Sequence, residues 1–138
     1  MTETASPRQP DAGTSSRPRG PASFWGALDQ LLAGGELVID RPRGSTHPRH
    51  RDIVYPLDYG YLAGTAAGDG REVDVWRGSR AAAELDAAVC TVDLMKRDVE
   101  IKLLLGCTEP EKQTVMDFHS GNHAGVALLR RPGSRVSP

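Results

Sequence analysis

All three tyrosines of this 138-residue chain fall between Tyr55 and Trp76, and the same stretch closes on two acids, Asp69 and Asp74. Tyrosine hydroxyls donate to phosphate oxygens, and carboxylates flanking a glycine turn hold hard cations such as Mg²⁺. Tyr55, Tyr59, Tyr61, Asp69 and Asp74 are therefore the side chains best suited to phosphate chemistry. Each also has a plainer explanation. Asp69 lies in Gly68-Asp69-Gly70, where aspartate serves a turn by bonding its own backbone. The tyrosines alternate in spacing and suit packing on a pleated surface. Asp74 is harder to explain away: it stands between Val73 and Val75 in a strand context that disfavours aspartate, and an acid half-buried there needs a partner.

Two further groups bear on the same chemistry. Arg41, Arg43, Arg49 and Arg51, with His47 and His50, give the segment 41–51 a concentrated positive charge and a loop composition. On composition alone it is a solvated loop, but its place just before the tyrosines makes it a candidate anion site. Asp98, Glu100 and Lys102 form the second group. An exposed Glu-Lys pair on one strand face is worth little; the functional alternative sets Glu100 on a cation and Lys102 on a phosphate oxygen. His119 and His123 read as helix-end and turn residues.

The elements that must position these groups follow from periodicity. Residues 1–21 carry almost no aliphatic side chain and are expected to be a disordered tail. Ser23 is placed to cap a short helix with Phe24, Leu28, Leu31 and Leu32 on one face, ending at Gly34-Gly35. Strands are expected at Glu36–Asp40, Ala88–Leu94, Val99–Leu105 and Gly125–Leu129, with another around Asp74. In the third of these, Val99, Ile101, Leu103 and Leu105 share one face while Glu100, Lys102 and Leu104 share the other. Thr108 and Glu111 form a capping box that starts a helix from Glu109 to about His119. The core domain spans 22–132, and 133–138 is expected to be a flexible end.

Bulk composition narrows the function classes. A 38 % hydrophobic content supports one modest core, and 15 Gly with 10 Pro favour β structure with short helices. A net charge of -1 argues against a globally basic nucleic-acid binder, and stacking aromatics are scarce. Cys90 and Cys107 lack metal-ligand spacing and read as reduced, strand-borne residues. No apolar window is long enough to cross a bilayer, so a cytoplasmic protein without membrane or nucleic-acid partners is expected. Association into a homo-oligomer is left open.

The run Tyr55-Pro-Leu-Asp-Tyr-Gly-Tyr61, followed by Asp69-Gly70 and Val73-Asp-Val75, resembles the soluble Mg²⁺-dependent inorganic pyrophosphatases. Glu100-Ile-Lys102 resembles that family's later strand, and the likeness covers roughly Leu37 to Leu105. It implies a mainly β (α+β) fold, a small OB-like closed β-barrel of about five strands with two short flanking helices. It also implies hydrolysis of diphosphate to two phosphates with Mg²⁺, or Mn²⁺ in its place. By the same resemblance Asp69, Asp74 and Lys102 would be catalytic, and Asp40, Asp69, Asp74, Asp98 and Glu100 would hold metal. Tyr55, Tyr59, Lys102 and Arg49 or Arg51 would contact the substrate, and Arg71, a departure from the family, is placed to join them. The departures are specific. Arg71 stands where the family has the central aspartate of its signature, the turn Met95-Lys96-Arg97-Asp98 offers one acid where the family has a pair, and the expected Tyr-Lys pair is absent near Phe118-His119-Ser120. An acid replaced by arginine repels a metal but suits a phosphate oxygen. The alternative is therefore a weak or inactive phosphate- or nucleotide-binding module on the same barrel.

Overall fold

A computed structural model describes residues 21–133, with side chains from Phe24 onward. The expected tail over 1–20 and the end of the chain past 133 lie outside the described residues. Helix α1 spans Pro21–Ala33, and strands β1 (Glu36–Arg41), β2 (Asp58–Ala63), β3 (Val73–Arg77), β4 (Leu85–Asp93) and β5 (Asp98–Leu105) follow. Helix α2 (Glu109–Ser120) and strand β6 (Gly125–Arg130) complete the fold. The six strands form one mixed sheet in the order β1-β2-β3-β5-β4-β6. All neighbours are antiparallel except β3 and β5, which pair in parallel through Val75↔Leu103 to Arg77↔Leu105. No described helix is long and apolar enough to cross a membrane.

The expected closed barrel is not formed. The sheet is open, with β1 and β6 at opposite edges, and the fold is α+β with six strands rather than about five. The reason lies in which faces are buried. A barrel buries one face of its sheet in one interior, whereas here consecutive residues bury on opposite sides. Leu103 and Leu105 join Trp25, Leu62, Val75, Leu85 and Ala88 beneath α1. Leu104 joins Trp76, Ala87, Val89, Tyr55, Leu57, Cys107 and Val115 on the α2 side. A run such as Leu103-Leu104-Leu105 therefore marks a strand covered on both faces. Each helix covers one core, and the strands have no reason to curl shut.

Local signals hold elsewhere, with shifted bounds. Thr108 Oγ1 accepts from the Glu111 backbone N–H at 3.2 Å, and Glu111 Oε1 accepts from the Thr108 N–H at 2.9 Å, so the capping box starts α2 as its residues require. Helix α1 begins at Pro21, which puts Ser23 inside its first turn rather than before it. Its core-facing stripe is Trp25, Leu28 and Leu32, while Phe24 and Leu31 stay about two-fifths exposed. Gly60 allows β1 and β2 to meet: a Cβ there would lie 1.8 Å from the Val38 carbonyl oxygen.

Candidate functional site

Strand parity decides which groups meet. On β2, β3 and β5 the residues facing the α2 side include Tyr59, Asp74, Trp76, Glu100, Lys102 and Leu104, and pairing across the sheet brings the polar ones to one point. Lys102 Nζ, buried at 5 % exposure, lies 2.9 Å from Asp74 Oδ2, 2.8 Å from Glu100 Oε1 and 3.2 Å from the Tyr59 hydroxyl. The Tyr59 hydroxyl donates to the same Asp74 oxygen at 2.6 Å. Asp74 and Glu100 keep about a third and a quarter of their side chains exposed, so the cluster opens to solvent on one side.

The electrostatics follow from this packing. Burial works against the Lys102 charge, but Tyr59, Asp74 and the hydrogen bonds to Glu100 and Asp74 outweigh it and hold the ammonium above the ordinary lysine value. Burial, with Asp74 alongside, raises the Tyr59 phenol well above its usual range against the pull of Lys102. Tyr59 is thus a neutral donor and Lys102 a fixed cation at any ordinary pH.

This cluster floors an open groove of about 1140 Å³. Its lining contains Asp40, Arg49, Tyr55, Tyr59, Asp69, Arg71, Asp74, Asp98, Glu100 and Lys102, which brings ten of the expected site residues to one concavity. Arg51 and Tyr61 do not line it. Tyr55 is buried, stacked on Tyr59 at 5.3 Å between ring centres, and its hydroxyl accepts from Arg41. It fixes Arg41 more than it faces a ligand. Asp69 is exposed, and its Oδ1 accepts from the Arg71 backbone N–H at 2.9 Å, which is the turn role its glycine neighbours suggest. Arg49 and Arg71 are exposed, and among the described residues neither guanidinium has a hydrogen-bond or ion-pair partner.

The donor set does not form a magnesium cage. Among the described residues no three His, Cys, Asp or Glu side chains gather as a metal-binding group. The nearest carboxylates, Asp74 and Glu100, are drawn to the Lys102 ammonium, and Asp69 to its own turn.

Two groove residues were not expected from the sequence, His119 and His123; with His47, His50 and Arg41 of the basic loop they put the whole histidine complement of the chain in the groove lining. His119, read as a helix-end residue, is 2 % exposed and its Nε2 accepts from the Trp76 indole N–H at 3.0 Å. That donor leaves its proton on Nδ1, which lies 3.4 Å from His123 Nδ1. Burial, then the charges of Lys102 and His123, push His119 down to about 3. The signal was present at helical spacing, because Lys112, Val115 and His119 form the buried stripe of α2. His47 Nδ1 accepts from the backbone N–H groups of Arg49 and His50, holding the basic loop in shape. Burial and the nearby Arg41, His50, Arg49 and Lys96 lower its basicity.

No protein-family model, curated protein or solved structure matches the chain.

Proposed function

We propose that the groove binds a small phosphorylated anion and that the chain is a pyrophosphatase-like phosphohydrolase cleaving diphosphate to two phosphates. The observation that carries this reading is the buried Lys102, shared by Asp74, Glu100 and Tyr59, at the floor of a groove that also presents Arg41, Arg49 and Arg71. Lys102 spends its three N–H donors on Asp74, Glu100 and Tyr59, and Tyr59 its proton on Asp74, so a phosphate oxygen binds at the floor by taking a donor from one of the carboxylates, while exposed guanidiniums suit the charge that gathers on a leaving phosphate. The described hydrogen bonds of Asp74 all use Oδ2, which leaves Oδ1 to take a proton from an attacking water. Magnesium or manganese, in this reading, enters as the counter-ion of the substrate, a metal–diphosphate chelate.

Phosphate release from diphosphate in Mg²⁺ or Mn²⁺ tests the proposal. Activity that falls at least a hundredfold in Asp74→Asn supports it, and no release at any metal concentration sinks it.

A second reading, binding without turnover, is favoured by one observation: Asp74 and Glu100 are both turned to the Lys102 ammonium rather than gathered for a metal. Calorimetry separates the two, since diphosphate binding that needs no metal and yields no phosphate belongs to a binding module.

A further inference from the structure

A second cavity shares a wall with the groove. It is a cleft of about 300 Å³ beneath α1, lined on its apolar side by Phe24, Leu28, Leu31, Val73, Val99 and Ile101. Asp69, Glu72, Asp74 and Glu100 line both cavities. The register explains why they adjoin. Strand β3 starts at Val73 and its pairing with β5 starts at Val75↔Leu103, so Asp98 to Glu100 run without a β3 neighbour. The sheet is incomplete there, and the groove on the α2 side meets the cleft on the α1 side at this end of the strands.

Apolar surface is left open around the cleft. Val99 is 70 % exposed and Ile101 42 %, on a strand whose next residues on the same face, Leu103 and Leu105, are fully covered by α1. Phe24 and Leu31 stay exposed on the helix opposite. Residues 1–20 contain Met1, Ala5 and Ala12 as their only hydrophobic residues apart from proline, a composition poorly suited to an apolar cover. An apolar cleft at the lower end of the size range for small ligands, set against a phosphate site, suits the two halves of one amphiphile.

We propose that the ligand of this site is an organic diphosphate or phosphate, with its charged head in the groove at Lys102 and a short hydrocarbon substituent in the cleft beneath α1. The inference rests on the phosphate reading of the groove and narrows its substrate class. Each methylene withdrawn from water is worth roughly fourfold in affinity, so even a partly buried chain gives a measurable preference.

Calorimetric titration of the full chain with geranyl diphosphate and with inorganic diphosphate tests it, with sedimentation of the same samples. Geranyl diphosphate should bind at least tenfold more tightly. Ile101→Glu, and independently Phe24→Ser, should abolish that preference while leaving the affinity for inorganic diphosphate within twofold. Lys102→Met should weaken both ligands. Tight binding of the geranyl compound alone supports the amphiphile and removes inorganic diphosphate as substrate. Equal affinities overturn this inference but leave the phosphate site standing. Binding of neither overturns both, and a dimer that Ile101→Glu dissociates, with no geranyl preference, assigns the cleft to a second copy and overturns the ligand.

Discussion

Two lysines of this chain are buried, and each holds two carboxylates, yet only one of them lines the groove. Lys102 meets Asp74 and Glu100 on strand faces that open to the groove. Lys112, at 2 % exposure, meets Asp86 at 3.1 Å and Glu109 at 2.8 Å, and ties the first turn of α2 to β4. Arg130 of β6 completes that second cluster through Glu109. The ion chemistry is nearly the same, and the surroundings differ. Around Lys102 a phenol shares the cation, and Arg49 and Arg71, whose guanidiniums have no partner among the described residues, line the same groove; around Lys112 the partners join three elements and none of them lines that groove. A buried lysine between two acids is therefore a fastening by default, and becomes a candidate site where one side of it opens on a groove that other charged side chains also line.

The largest expected effect breaks the fastening. Lys112→Met takes from Asp86 its hydrogen-bonded cation, and Asp86 Oδ1 already lacks a hydrogen-bond partner among the described residues. Removing one member of a buried ion pair costs about 3 to 5 kcal/mol, so urea unfolding should show a loss of that size. Lys102→Met should cost less, about 1 to 2 kcal/mol, because Asp74 and Glu100 can rehydrate towards the groove. It should weaken diphosphate binding, which Lys112→Met, where folded, should leave unchanged. Equal stability losses with equal binding would erase the distinction between the two clusters.

The sequence made most of the frame legible and left the closure of the sheet unread. Strand β5 was visible in its alternation and α2 in the Thr108–Glu111 box, because both signals act over three or four residues. The open sheet was not, since it depends on the parallel pairing of β3 with β5, a contact between residues 28 apart. The resemblance implied a barrel, whereas the run Leu103-Leu104-Leu105 already pointed to two covered faces. The site residues were legible by type, and ten of them line one groove. What each one does was less legible: whether Asp69 faces a ligand or its own turn, and that His119 belongs to the groove, depend on partners distant in the chain.

His119 offers a smaller effect that belongs to the Lys102 side alone. Its basicity is lowered to about 3 by burial, then by Lys102 and His123. A histidine whose folded value lies below its unfolded one contributes stability above the unfolded value, near 6.5, and loses it as pH falls from there towards 3. By pH 5 the loss should reach about 2 kcal/mol, since the unfolded chain binds the proton and the folded one does not. His119→Gln should flatten this part of the stability profile, and Lys102→Met should make the loss smaller and end it at a higher pH, because relieving part of the repulsion raises the folded value towards the unfolded one. Lys112→Met should leave its slope unchanged. A profile between pH 7 and 5 that His119→Gln does not alter would show that the titration lies elsewhere.

The smallest effect is expected at Asp69, which the resemblance would make catalytic and metal-binding and which the geometry gives a turn role. Its carboxylate is exposed and serves the Arg71 backbone, within a turn closed by the Ala67 N–H to Arg71 carbonyl bond at 2.6 Å. Gly70 takes φ of 85°, so the turn is held by its glycine as well as by the acid. Asp69→Ala should therefore lower stability by about 0.5 to 1 kcal/mol, the worth of one exposed side-chain to backbone bond. It should change diphosphate affinity less than threefold, where Asp74→Asn removes phosphate release. If Asp69→Ala matched Asp74→Asn, the exposed acid would be gathered with the Lys102 cluster when substrate binds, and the boundary between wet cluster and turn would have to move outward by one residue of the groove wall.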